Sequence, residues 1–177
     1  MVSLVVWGQG FVGLQLAVAL SKQHKIYGYD ISSERLEQLR QGTDIYQHIS
    51  SDELAKCTIQ FTNNLDDIKN CHFFIVAVPT PASMDGLPDL KPLIDTTKSI
   101  AKLLHQGDIV VYESTVYPGA TEEICVPILE RYSRLKCGSE FQVGYSPERI
   151  NPGDKTHTLA NVPKIIAAQN QKSLGAI

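Results

Sequence analysis

Apolar residues along this chain gather into short runs separated by longer stretches of helical spacing, and the alternation repeats from end to end. Residues 2–7 form a compact apolar run, as a strand buried by parallel neighbours requires. Residues 11–22, rich in Leu and Ala, read as a helix, and residues 25–30 as a second strand ending on an acid. Ser33–Arg40 is a helix with Ser32 or Ser33 as its N-cap and Gly42 as its stop. Residues 43–56 carry a weaker pattern, a loop with a short helix. Residues 57–62 predict a third strand, 65–69 a helical turn, and 73–78 a fourth strand ended by Pro79. Residues 80–88, broken by prolines and a glycine, are a loop. Leu90, Leu93, Ile94, Ala101 and Leu104 then trace one face of a helix. A fifth strand at 109–113, a helix at 121–132 and a sixth strand at 141–145 follow, with 164–168 a candidate for one more.

Strands alternating with helices predict βαβ units with right-handed crossovers. The implied fold is α/β, a Rossmann-type doubly wound, mostly parallel sheet with helices on both faces. The first strand–helix junction carries chemistry. Gly8-Gln9-Gly10-Phe11-Val12-Gly13 is a G-x-G-x-x-G run that follows a strand and opens a helix, and Asp30 ends the next strand 22 residues after Gly8. That whole context, rather than the glycines alone, is the dinucleotide fingerprint. Gly8 allows the tight turn, Gly10 lets a pyrophosphate approach the backbone, and Gly13 lets helix pack on strand. Helix-start amides near Phe11 and Val12, at the positive dipole end, receive phosphate charge. Asp30 would accept from the adenosine ribose hydroxyls and repel a 2′-phosphate, which predicts NAD rather than NADP. Arg35 pulls the other way, since a nearby arginine accommodates a 2′-phosphate; its alternative is an exposed helix residue.

Composition narrows the class without redirecting it. Apolar residues make up 43% and charged residues 20% of 177, enough to bury a core. A net charge of −3 and a pI near 5.9, with no basic run, offer nothing to nucleic acid or an anionic membrane. The apolar start stops at Gly8, too short for a signal peptide or a span, so a cytoplasmic protein is expected. Cys57, Cys71, Cys125 and Cys137 lack C-x-x-C spacing and read as reduced thiols. The histidines His24, His48, His72, His105 and His157 show no metal spacing and read as surface or structural.

Three more segments go beyond a generic dinucleotide domain: Val78-Pro79-Thr80-Pro81, the run from Glu113-Ser114-Thr115-Val116 through Tyr117-Pro118-Gly119, and Ser146-Pro147-Glu148-Arg149-Ile150-Asn151-Pro152-Gly153-Asp154-Lys155. In this order behind the glycines they closely resemble the UDP-glucose/GDP-mannose dehydrogenase family. They look most like its UDP-N-acetylhexosamine 6-dehydrogenase branch, which serves surface polysaccharides. The resemblance implies oxidation of a sugar C6 alcohol to the carboxylate with two NAD⁺, through an aldehyde, a cysteine-bound thiohemiacetal and a thioester. It implies cofactor contacts at Val78, Pro79, Thr80 and Thr115, the last also holding a catalytic water. It makes Glu148 the base acting on that water, and Arg149, Ile150 and Asn151 the lining of the nucleotide-sugar pocket. From the residues alone, Thr115 serves equally as a cap on the next helix, and Glu148 with Arg149 as a surface ion pair.

The family's catalytic cysteine, in a G-x-C-x-x-x-D context, has no counterpart here, and Cys125 reads as a small buried residue. Trp7 and Gln15 depart from the family's usual small residue and proline. Residues 1–177 are therefore expected to be the NAD-binding domain of a longer dehydrogenase, without its central helix or its UDP-sugar domain. The resemblance makes the full-length protein a homodimer. The isolated chain is expected to bind NAD without turnover. A UDP-glucose 6-dehydrogenase, a stand-alone NAD-binding module and a β-hydroxyacid-type dehydrogenase are the alternatives, the last leaving 146–155 unexplained.

Overall fold

The strands are β1 (Ser3–Trp7), β2 (Lys25–Tyr29), β3 (Ile59–Thr62), β4 (Phe73–Val76), β5 (Ile109–Tyr112), β6 (Gln142–Tyr145) and β7 (Ala167–Ala168). The helices are α1 (Phe11–Leu20), α2 (Ser33–Arg40), α3 (Ser51–Ala55), α4 (Lys91–Ala101), α5 (Val126–Ser133) and α6 (Gln171–Ala176). This is a computed structural model, and it describes residues 2–82, 84–149 and 161–177. One seven-stranded sheet runs in the order β3-β2-β1-β4-β5-β6-β7. The first six strands are mutually parallel and β7 is antiparallel to β6, with Tyr145 opposite Ala167. The order reverses beside β1, so the crevice between the carboxyl ends of β1 and β4 is the switch point where such sheets bind ligands.

Side-chain alternation along β1 explains why both faces of the sheet are covered. Val5 and Trp7 pack with Leu93 and Ile100 of α4 and Leu129 of α5. Leu4 and Val6 point the other way, onto Leu16 and Ala17 of α1. Helix starts are fixed by local chemistry: Ser32 Oγ accepts from Arg35 N, and Ser50 and Glu53 form a reciprocal capping box at α3.

Three predicted elements change shape. The helix expected over 121–132 is a π-helical turn, Thr121–Cys125, followed by α5. Pro127 has no N–H for the Glu123 carbonyl and crowds it, and the chain adapts by letting Val126 N donate to Thr121 O. The third strand starts at Ile59 rather than Cys57, because Cys57 N closes α3 on Leu54 O. Only Ala167–Ala168 of the 164–168 candidate joins the sheet, as an antiparallel edge, with Ile165 and Ile166 left exposed.

Gly13 is the tightest joint between α1 and the sheet. A Cβ there would overlap the Gly8 carbonyl oxygen and touch the Ala77 side chain. Gly13→Ala is expected to cost about 2 kcal/mol by overpacking. For a chain of this size that lowers the thermal midpoint by roughly 4–8 °C, measurable by calorimetry or circular dichroism. An unchanged midpoint would mean that the loop yields freely.

Candidate functional site

Gly8 takes φ +94°, a left-handed conformation that favours glycine, and a Cβ on it would come 2.6 Å from Ala77 O. Gly10, at the N-cap of α1, has φ −81° and open space where a Cβ would project. No side chain caps α1 and no acid sits in its first turn, so its positive end faces the crevice unblocked. The fully buried Gln9 anchors the turn. Its N–H donates to Asp30 Oδ2 (2.7 Å), its side-chain amide to Val6 O (2.8 Å), and its carbonyl accepts from Arg35 Nε (2.9 Å). Asp30 Oδ1 accepts from Ser32 N (2.9 Å), so each carboxylate oxygen keeps a lone pair for a ligand.

Of the two readings of Arg35, the exposed helix residue falls, since the side chain is 7% exposed. Its Nη2 lies 2.7 Å from Oδ1 of Asp44, whose side chain is fully buried, and its guanidinium stacks over Tyr46 at 4.8 Å. Burial alone would raise the Asp44 carboxyl, but the Arg35 hydrogen bond and the amides of Ile49 and His48 outweigh it and hold the group below the ordinary 3.8.

These residues border a crevice of about 910 Å³ whose far wall comes from the ends of β4 and β5. Val78, Pro79, Thr115 and Glu148 line it together with Gly8, Gly10, Phe11, Val12, Asp30 and Arg35. Gly13 lies behind the turn, and Thr80 stands just outside, its hydroxyl donating to Thr115 O (2.6 Å). Thr115 is not a helix cap: the next helical turn begins after Ala120 with no side-chain cap. Nor do Glu148 and Arg149 pair. Arg149 N donates to Glu148 Oε1 (2.7 Å) while its guanidinium donates to Pro163 O. The sequence positions Ile150 and Asn151 lie outside the described residues.

Two residues at this wall went unmarked by sequence reasoning. Lys164 Nζ contacts Glu113 Oε2 and stands 3.3 Å from Glu148 Oε2, bridging two carboxylates. Glu113 is 6% exposed. Burial pushes its carboxyl above the usual carboxylate range, Lys164 pulls it partly back, and Glu148 adds repulsion. Glu113 stands in the E-S-T run, where its place at a strand end was the available signal; Lys164 offered none. Gln9 and Asp44 were equally silent. Cys125 is buried against Tyr112 and Thr97, away from the crevice, and burial raises its thiol. Trp7 lines the crevice with its ring 4.0 Å from that of Tyr29, and Gln15 only turns back to Phe11 O (3.1 Å).

A left-handed glycine turn, an open helix N-terminus and an acid closing the adjacent strand, on strand order 3-2-1-4-5-6, define a dinucleotide-binding Rossmann domain. The chain belongs to the UDP-glucose/GDP-mannose dehydrogenase family: residues 2–177 match its NAD binding domain, so the dinucleotide is NAD. It is 50% identical over 163 residues to a UDP-N-acetyl-D-glucosamine 6-dehydrogenase from Pseudomonas aeruginosa, covering 92% of this chain and 39% of that protein. It is 46% identical over 172 residues to Protein CapL from Staphylococcus aureus, covering 97% and 41%. Its fold superimposes on a UDP-D-ManNAc dehydrogenase from Pyrococcus horikoshii with a TM-score of 0.86 at 30% identity, over 98% of this chain and 43% of that one. The chain thus spans about two fifths of the relatives it matches. Among the described residues no helix is long and apolar enough to cross a membrane.

The Arg35–Asp44 pair yields a pH-dependent prediction. A carboxylate whose folded pKa is depressed adds stability above its unfolded pKa and loses it as pH falls through the folded value. Asp44→Asn strands a buried guanidinium and is expected to cost about 3 kcal/mol at pH 7. The gap to the parent should narrow below pH 3.8 as the native carboxyl protonates. Urea unfolding at pH 7 and pH 3 tests this, and an equal gap at both would remove the electrostatic account.

Proposed function

We propose that this chain supplies the cofactor half of a UDP-N-acetylhexosamine 6-dehydrogenase, an enzyme that oxidises the sugar C6 alcohol to the carboxylate with two NAD⁺. The observation carrying this reading is convergence: Glu148 and Thr115 line the same crevice as the glycine turn and Asp30. The Pseudomonas aeruginosa relative, named for this reaction on UDP-N-acetyl-D-glucosamine, supports the choice of sugar. The reading carries a cytoplasmic setting, a part in polysaccharide synthesis, and a homodimeric whole protein assembled from a longer chain.

NAD⁺, when bound, supplies the hydride acceptor. Gly8 makes the tight turn, Gly10 leaves room for its pyrophosphate, and main-chain N–H groups at Phe11 and Val12, backed by the α1 dipole, take the phosphate charge. Gly13 keeps that helix end close to the strand. The remaining lone pairs of Asp30 accept from the ribose hydroxyls, while Arg35, neutralised by Asp44, offers a 2′-phosphate little. Val78 and Pro79 wall the β4 side, and Thr80 holds the Thr115 carbonyl so that the Thr115 side chain meets cofactor and water. Glu148, 3.3 Å from Lys164 Nζ, withdraws a proton from that water. The family resemblance assigns the nucleotide-sugar pocket to the sequence positions Arg149, Ile150 and Asn151.

Calorimetric titration tests the reading. NAD⁺ is expected to bind at least about tenfold more tightly than NADP⁺, a difference of ~1.4 kcal/mol, and Asp30→Asn to narrow that preference. Gly10→Ala should cost no more than about 1 kcal/mol of stability while weakening NAD⁺ binding. With UDP-GlcNAc added, no NADH absorbance should appear, because the chain spans about two fifths of its relatives and so supplies only part of the sugar pocket, and none of the four cysteines lines the crevice. NADH formation by this chain alone, or equal affinity for the two dinucleotides, would overturn the respective part.

A further inference from the structure

The amino ends of β4 and β5, opposite the crevice, gather a second set of chemical groups. Ile109 N donates to His72 O (3.0 Å), so His72 and Asp108 stand side by side as the residues entering two paired strands. His105 lies on the turn that leads into β5. That turn is closed by Asp108, whose Oδ2 accepts from His105 N (2.7 Å) and whose own N–H donates to His105 O (3.2 Å). His72 Nδ1 is 2.7 Å from Asp108 Oδ1, and His105 Nδ1 is 3.8 Å from Asp108 Oδ2. One ligand atom from each of the three lies within 4.8 Å of the others.

The two kinds of residue differ in setting. The Asp108 side chain is 1% exposed and held by the sheet and the turn, whereas those of His72 and His105 are 64% and 60% exposed. Among the described residues, the groups within ion-pair reach of Asp108 are these two imidazoles, with no lysine or arginine competing. We propose that His72, His105 and Asp108 form a binding site for a divalent first-row transition cation, for which Zn²⁺ is the probe. Two imidazoles and a carboxylate are the donor set such cations favour, and small rotations of the exposed rings bring all three atoms to about 2.0–2.2 Å from a shared ion. The fourth tetrahedral position stays open to water. Asp108 serves as ligand while its other oxygen keeps the His105 amide, so the ion clips the entry to β4 onto the turn before β5. Sequence spacing hid the site, since His105 lies 33 positions after His72 with a whole helix between them.

Titration of the chain with ZnCl₂ at pH 7.5, followed by calorimetry, is expected to show one saturable equivalent and a raised thermal midpoint. His72→Ala and His105→Ala alter exposed side chains and should leave the fold intact while each weakens Zn²⁺ at least about tenfold. Repeating the titration at pH 5.5 should weaken it too, because protons compete with the cation for the imidazole nitrogens. A Cys57→Ser/Cys137→Ser variant should bind as the parent does. Absence of saturable binding, binding that survives both histidine substitutions, or binding lost with the cysteines would overturn the site.

Discussion

The Gln9 main chain is held from both sides, its N–H by the Asp30 carboxylate and its C=O by the Arg35 guanidinium, and the cofactor end of the sheet is built around that fixed peptide. Gly8 must take a left-handed conformation to bring Gln9 there, and Gly13 must lack a side chain for α1 to start immediately behind it. Arg35 reaches Gln9 from a buried position, which is tolerable only because Asp44 sits beside it. Asp44 in turn accepts amides from Tyr46, His48 and Ile49, shaping the loop that brings Tyr46 and His48 to the crevice rim. A turn whose glycines look free is therefore a fixed element, tied to β2, α2 and the loop after α2.

What the sequence revealed follows from whether the cause was local. The glycine run and Asp30 were legible because the strand–turn–helix and the following strand fix their relation within one βαβ unit. Buried parallel strands were legible from their apolar runs, to within a residue or two. Pro127 was visible, but whether it would kink, end or re-register the helix depended on how the chain reclosed its hydrogen bonds. Arg35 left two readings open, a phosphate contact or an exposed helix residue, and its polar helix window offered no sign of burial. Its burial comes from Asp44 on a separate loop, a pairing no periodicity records. The same holds for Lys164, whose meaning lies in Glu113, 51 positions away.

The antiparallel edge strand has a geometric consequence for that lysine. A strand running parallel to β6 would begin at the amino ends of the sheet and carry the residues before it away from the crevice. Because β7 runs the other way, with Ala167 opposite Tyr145 and Ala168 opposite Gly144, the residues preceding it arrive at the carboxyl edge. Glu148 leaves β6 at that same edge and Glu113 leaves β5 there. The short reversed strand is what lets one ammonium reach both carboxylates, and the ion pairs in turn tie the chain after 160 to the sheet.

Charge pairing along the crevice decides what can hold a phosphate in it. Among the described residues, Asp30, Asp89, Asp95, Glu113 and Glu148 line it together with the cations Arg35 and Lys91, and Lys164 reaches Glu113 and Glu148 at its wall. Each of those cations is already engaged: Arg35 with Asp44, Lys91 with Asp95 at 2.7 Å, and Lys164 with both glutamates. A doubly charged pyrophosphate drawn mainly by side-chain charge would meet a wall of carboxylates with their counter-ions in place. The attraction must come instead from uncapped amides at the start of α1, oriented before the ligand arrives and carrying no compensating anion. That shifts the demand from charge to geometry, so the chain spends its least substitutable residues, Gly8, Gln9 and Gly13, on fixing the direction of one helix end.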